Sequence, residues 1–227
     1  MHQVRRANPP SRIGADLRAM LSAIGHGDDV LGGVALVGLS LPGLNLVIDA
    51  VLVLPRGLIV VSGVDLPGPA LRLDAPNDGP WLADGWRLVR PVSPISGALA
   101  AARAVGARLE ASGAPVLPLS AVVAVGPYVR EVVRPDRDAE RAPAVLHPTP
   151  RLLVRMATKL ARAPTPCDLV TAGTLLGLLA PGHGVTPEIL AAEGFAAPHA
   201  ANNQANHQRL NREFGRDGRW RTGRAGR

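Results

Sequence analysis

Apolar residues recur along this chain in two rhythms. Val30–Leu39, Leu46–Leu54, Leu58–Val64 and Val116–Val125 are runs of Val, Leu, Ile and Ala bounded by turn residues, and they read as strands; Trp86–Val89 is a weaker fifth. Only Pro55-Arg56-Gly57 separates the second run from the third, so those two form a hairpin. Ile13–Ile24 instead places Ile13, Leu17, Met20, Leu21 and Ile24 on one helical face that ends at Gly25. Residues 94–113 are alanine-rich, with Pro94 at the start and Gly113 past the end, the marks of a helix crossing over to a last buried strand. Helix, three antiparallel strands, a fourth strand, helix and strand together predict an α/β fold with a mixed central β-sheet flanked by helices.

The last third changes rhythm. Thr149-Pro150, Thr165-Pro166 and Thr186-Pro187 each put a capping hydroxyl before a proline at the first helical position, the second with Asp168 three residues after its cap and the third ending at Gly194. Arg130–Ala144 is charged and carries proline near both ends, which reads as a surface connection. Beyond Pro198 the chain holds too little apolar material to fold by itself. The expected organisation is a flexible arm over 1–12, an α/β core over 13–129, a linker over 130–148, a helical extension over 149–198 and a disordered Arg-rich tail over 199–227.

Composition adds a size class: 227 residues with 47% hydrophobic and 19% charged content support one sizeable core. The formal charge of +7 suggests nucleic acid until it is located. Residues 13–198 carry 15 basic and 16 acidic side chains, while three arginines precede them and seven arginines against two acids follow. The basic character therefore belongs to the two ends, which can touch anionic partners without a folded surface. Lys159 is the only lysine, a coding bias toward arginine that limits what arginine abundance says about function.

Cys167 stands alone, which excludes an internal disulfide or a thiolate metal cluster and suits a reducing cytoplasm. The N-terminus lacks a continuous apolar stretch of the secretory kind. Val30–Ile48 is uncharged and near spanning length, but Pro42, Asn45 and several glycines break it and Asp49 closes it, so no transmembrane segment is expected.

Asp49 is the residue that calls for chemistry. A carboxylate inside an aliphatic strand costs several kcal/mol unless donors or a cation meet it. It is expected either to accept hydrogen bonds from backbone amides at the strand edge, to pair with an arginine such as Arg87 or Arg90, or to touch a metal. The helix containing Gly14-Ala-Asp-Leu-Arg-Ala-Met-Leu21, the hairpin from Asn45 to Val61 that carries Asp49, the later Trp81, and Pro94-Ile-Ser with its crossover helix and buried strand together resemble a nuclease-related (NERD) domain. That family is similar in fold to the restriction-endonuclease-like PD-(D/E)XK nucleases. The resemblance covers about Ile13 to Pro127, half of the chain.

It implies a metal-dependent nuclease framework in which carboxylates from the first helix and both hairpin strands converge on Mg²⁺ beside a lysine. Asp49 matches the first-strand aspartate. The second-strand acid-x-lysine pair falls on Ser62, Gly63 and Val64, which supply neither group. At the first helix Gly14-Ala15 replaces Gly-Glu, and Asp16 is displaced by about 100° around the helix. The crossover-helix glutamine falls at Gly97. Asp65 points to the face opposite Ser62 in a regular strand, unless a bulge near Gly63 re-aims it; Asp74 and Asp78 are expected in a loop.

The expectation is thus a catalytically silent nuclease-related protein, cytoplasmic, with Asp49 as a remnant of a metal site and no cofactor. It would act as a binding module, contacting nucleic acid through its Arg-rich tails, where Arg216, Arg219, Trp220, Arg221 and Arg224 resemble an RGG-type segment. Two alternatives stand beside it: an active nuclease using Mg²⁺ or Mn²⁺ on a rearranged Asp49, Asp16 and Asp65 site, and a protein–protein scaffold. The smaller signals read as structural. Ser62 fills the space of a lost acid, His26 and His183 sit in Gly-His-Gly turns, Trp81 and Trp86 cover the sheet, and Gly38-Leu-Ser-Leu-Pro42 is a loop despite its likeness to a nucleophile elbow.

Overall fold

A computed structural model describes residues 1–6, 32–41, 47–89, 93–115, 117–134, 144–146 and 167–197. The expected helices over 13–24 and 151–163, Asp16, His26, Arg90, most of the linker, Lys159 and the arginine-rich tail lie outside the described residues.

Among the described residues ten strands and three helices follow in the order β1 (His2–Arg5), β2 (Val34–Ser40), β3 (Val47–Leu54), β4 (Gly57–Asp65), β5 (Ala70–Asp74), β6 (Leu82–Ala83), β7 (Trp86–Arg87), α1 (Pro94–Ala111), β8 (Leu119–Gly126), β9 (Val129–Val133), β10 (Ala144–Leu146), α2 (Leu169–Leu179) and α3 (Pro187–Ala192). They form a six-stranded sheet, β1-β2-β3-β4-β8-β10, and a four-stranded sheet, β7-β6-β5-β9. In the larger sheet β2, β3 and β4 are an antiparallel meander; β1 joins β2 in parallel, and β8 joins β4 in parallel after the α1 crossover. Both sheets are mixed, and the fold is α/β.

Side-chain alternation explains the layers. Val34 and Leu36 of β2, Val51 and Val53 of β3, and Leu58 and Val60 of β4 share one face by register and one apolar cluster. Onto it pack Ala101, Ala102, Val105 and Leu109 of α1, Ala172, Leu175, Leu176 and Leu179 of α2, and Leu190 of α3. Ala35, Leu52 and Ile59 on the opposite face are equally buried. A sheet buried on both sides needs continuously apolar strands, which is why these runs do not alternate in sequence.

The hairpin turn is as expected, and it fixes β4 against β8. Gly57 has φ 151°, and a Cβ there would lie 2.5 Å from the Pro118 carbonyl oxygen, which accepts the Leu58 N–H at 2.8 Å. The close approach of two backbones leaves no room for a side chain.

Four segments depart from expectation. His2–Arg5, read as part of a loose arm, is an edge strand; Val4 is its one apolar residue and is buried, so the pairing is a backbone one that hydrophobic pattern does not reveal. Asp74, read as a loop residue, ends β5, and the linker expected from Arg130 begins as β9. The small sheet prolongs the β4–β8 pairing: the Leu66 N–H bonds the Gly126 carbonyl and the Ala70 N–H bonds that of Tyr128, with Pro67, Pro69 and Pro127 interrupting the ladder because they lack donors. Lastly, α2 and α3 share the sheet's core, and Met1–Ala196 form one compact unit. The cap of α2 is Asp168 itself, accepting from the Thr171 N–H at 2.8 Å, whereas Thr186 caps α3 as its Thr-Pro signal predicts.

Candidate functional site

Asp49 is 4% exposed and is the one buried charged side chain among the described residues. The β3–β4 ladder runs from Leu54 opposite Gly57 to Ala50 opposite Val61 and then ends. With a two-residue connection closing the hairpin, donors facing the partner strand recur on alternate residues of β4, so Gly63 is next in line. Its N–H finds no ladder carbonyl; it donates to Asp49 Oδ2 at 2.6 Å. The carboxylate thus continues the hydrogen bonding where the strands part. Opposite Asp49 on the other side stands Gly38, with φ 66°, between the paired Val37 and Leu39.

While β4 leaves β3 it stays in register with β8 through Ser62–Val123, Gly63–Ala124, Val64–Val125 and Asp65–Gly126. No bulge interrupts that run. Alternation puts Asp49 and Ser62 on the helix-bearing face and Asp65 on the other, so the structure does not bring Asp65 to Asp49. Val64, at the lysine position implied by the nuclease resemblance, is 2% exposed in a second apolar cluster with Leu73, Trp81, Ile95, Ala98, Val123 and Val125. Ser62 is half-buried, and a Cβ on Gly97 of α1 would meet nothing within 4 Å. Asp74 is paired elsewhere, its Oδ1 accepting from Arg72 Nη2 at 2.8 Å and Nε at 2.9 Å on the exposed small sheet. Among the described residues no three His, Cys, Asp or Glu side chains are grouped to hold a metal ion.

Near the start of α1 the loop after β5 is stapled by polar groups that the sequence does not announce. The Asn77 carbonyl accepts from Ser93 Oγ at 2.9 Å, its Oδ1 accepts from Arg134 Nη2 at 2.6 Å, and Trp81 Nε1 donates to the Pro76 carbonyl at 3.0 Å. Ser93 therefore precedes α1 without capping it through its side chain. Trp81 covers the sheet as expected, but Trp86 does not: it is 80% exposed at the rim of the small sheet.

Asp84 is the residue that sequence reasoning missed. Asp84-Gly85 joins β6 to β7 with φ of 48° and 82°, the positive pair that a tight hairpin turn requires, and an Asp-Gly pair between two short runs is the available signal. Its carboxylate also accepts from the N–H groups of Leu71, at 3.1 Å to each oxygen, and Arg72, at 2.8 Å.

Cys167 is buried, and burial first, with the Asp168 carboxylate second, pushes its thiol up to about 12. It is inert packing at the β3–β4 turn, where its N–H bonds the Pro55 carbonyl. Gly38-Leu39-Ser40 closes β2 as strand, so Ser40 is not a nucleophile on an elbow and the expected loop does not begin at Gly38. No helix among the described residues is long and apolar enough to cross a membrane. Compared with protein-family models, curated proteins and solved structures, the chain matches none.

Proposed function

We propose that this chain is a catalytically silent protein of the nuclease-related (NERD) type, in which the α/β core is a binding module and the arginine-rich ends contact nucleic acid. The succession of a three-stranded meander, a crossover helix and a strand parallel to the third supports the restriction-endonuclease-like core of that reading. The observation that carries the silent part is the Asp49–Gly63 hydrogen bond. Where an active framework offers a second acid and a lysine, this chain offers a serine, a backbone amide and a buried valine, and the amide engages the surviving carboxylate. A carboxylate that completes a ladder serves the fold rather than an ion.

The test incubates the full chain with single- and double-stranded DNA and RNA in Mg²⁺ or Mn²⁺. No cleavage is expected. Chelator-sensitive cleavage that Asp49→Asn abolishes would overturn the silent reading and favour a rearranged metal site. Binding is expected to weaken steeply with salt and to vanish when residues beyond Pro198 are deleted, because the Arg216–Arg224 segment neutralises phosphates and Trp220 stacks on bases. Binding that survives the deletion refutes the tail-driven idea, and no binding at any salt points to a protein–protein scaffold.

A further inference from the structure

Gly182-His183-Gly184 lies in the connection from α2 to α3. Both glycines are left-handed, with φ of 71° and 70°, so the backbone turns twice within three residues and sets the imidazole between the turns. His183 Nδ1 accepts a hydrogen bond from the Val185 N–H at 2.8 Å. Accepting there requires a neutral ring whose proton sits on Nε2. Val185 in turn is buried in the same apolar cluster as Val4 of β1, and the next residue, Thr186, caps α3. The hydrogen bond therefore stands between the turn and the point where the connection enters the core.

Among the described residues the charge that acts on the ring is Arg6, which directly follows β1 and is fixed by its N–H to the Val37 carbonyl at 2.9 Å. Burial, and then the Arg6 guanidinium, hold His183 below its ordinary value of 6.5.

We propose that this connection is a proton-released latch: neutral His183 holds it closed by accepting the Val185 amide, and the imidazolium, which carries a proton on both nitrogens and so cannot accept, and which meets Arg6, lets it open. The closed form binds a proton more weakly than the open form. Closure is therefore fully favoured above pH 6.5 and is lost as the pH falls through the lowered value of the folded ring. Opening loosens the entry of Val185 into the core and separates the connection from the end of β1, while the rest of the sheet stays paired.

The test follows His183 by its ring resonances and Val185 by amide hydrogen exchange between pH 5 and 7.5 in the full chain, with protection corrected for the intrinsic rate. Val185 protection is expected to fall about tenfold with the midpoint of the His183 titration, which lies below 6.5. His183→Asn replaces the ring with an acceptor that reaches the amide two residues on and does not titrate, so its Val185 protection should not change with pH. Arg6→Gln should move both midpoints upward together. Protection that falls equally in His183→Asn, or that stays constant while His183 titrates, overturns the proposal.

Discussion

Removing the Asp49 carboxylate separates a structural residue from a functional one. Asp49→Ala leaves the Gly63 N–H facing β3 where the ladder has already ended, with no acceptor in place of Oδ2. A hydrogen bond to a charged group contributes about 1.5–3 kcal/mol, and most of that reappears as the penalty of a partly buried amide left unpaired. Relief of carboxylate desolvation acts in the opposite direction and removes part of the loss. The expected balance is a destabilisation of about 2 kcal/mol for Asp49→Ala. Asp49→Asn keeps a neutral acceptor, roughly half as strong, and should lose about 1 kcal/mol. Urea unfolding followed by circular dichroism measures both, provided the slope against denaturant is unchanged. A variant as stable as the parent, or more stable, would refute the reasoning, since a carboxylate held against the interest of the fold is the mark of a working site.

Other substitutions test the framework around it. Gly57→Ala forces a Cβ to within 2.5 Å of the Pro118 oxygen, and a loss of about 1–3 kcal/mol is expected in the same unfolding assay. Asp84→Ala removes the acceptor of two β5 amides and a residue suited to positive φ, whereas Asp84→Asn keeps both; the alanine variant should melt clearly lower and the asparagine variant close to the parent. With its thiol at about 12, Cys167 is thiolate in about one folded molecule in ten thousand at pH 8, so an aromatic disulfide reagent should label it only after urea unfolding. Because that value is raised above the free thiol's 9.0, the stability linked to it is complete below pH 9 and is lost as the pH climbs toward 12.

What the sequence makes legible here follows from how each element is held. The β3–β4 hairpin, α1 and β8 are buried by continuous apolar runs or by a helical face, and periodicity shows them within a few residues. The carboxylate of Asp49 is equally legible, because an acid in such a run must find donors, and the backbone amide at Gly63 is one of the partners foreseen. β1 is not legible, since a single apolar residue, Val4, leaves its placement to backbone pairing with β2. Nor is the small sheet: β6 and β7 have two residues each and depend on the Asp84 turn and on β5 rather than on a pattern of their own. Trp86 follows from that, because a two-residue edge strand does not bury both of its faces. Val64 is the instructive site position, where the letter in the sequence shows the absence of a lysine but only the packing shows an apolar cluster closed over the place.

The position of β4 also sets an order of assembly. Its pairing with β3 closes across two residues, whereas its pairing with β8 joins Leu58 to Leu119 and must wait for the whole β5–α1 stretch to be gathered in. Local contacts form early and distant parallel ones late, so the hairpin and the α1 helix should precede the complete sheet. Until β8 arrives, the edge Leu58-Ile59-Val60-Val61 is an apolar strand with free donors and acceptors, the kind that recruits another chain. A nascent molecule is thus open to aggregation while this seam is unfilled, and the seam closes only when β8 is in place.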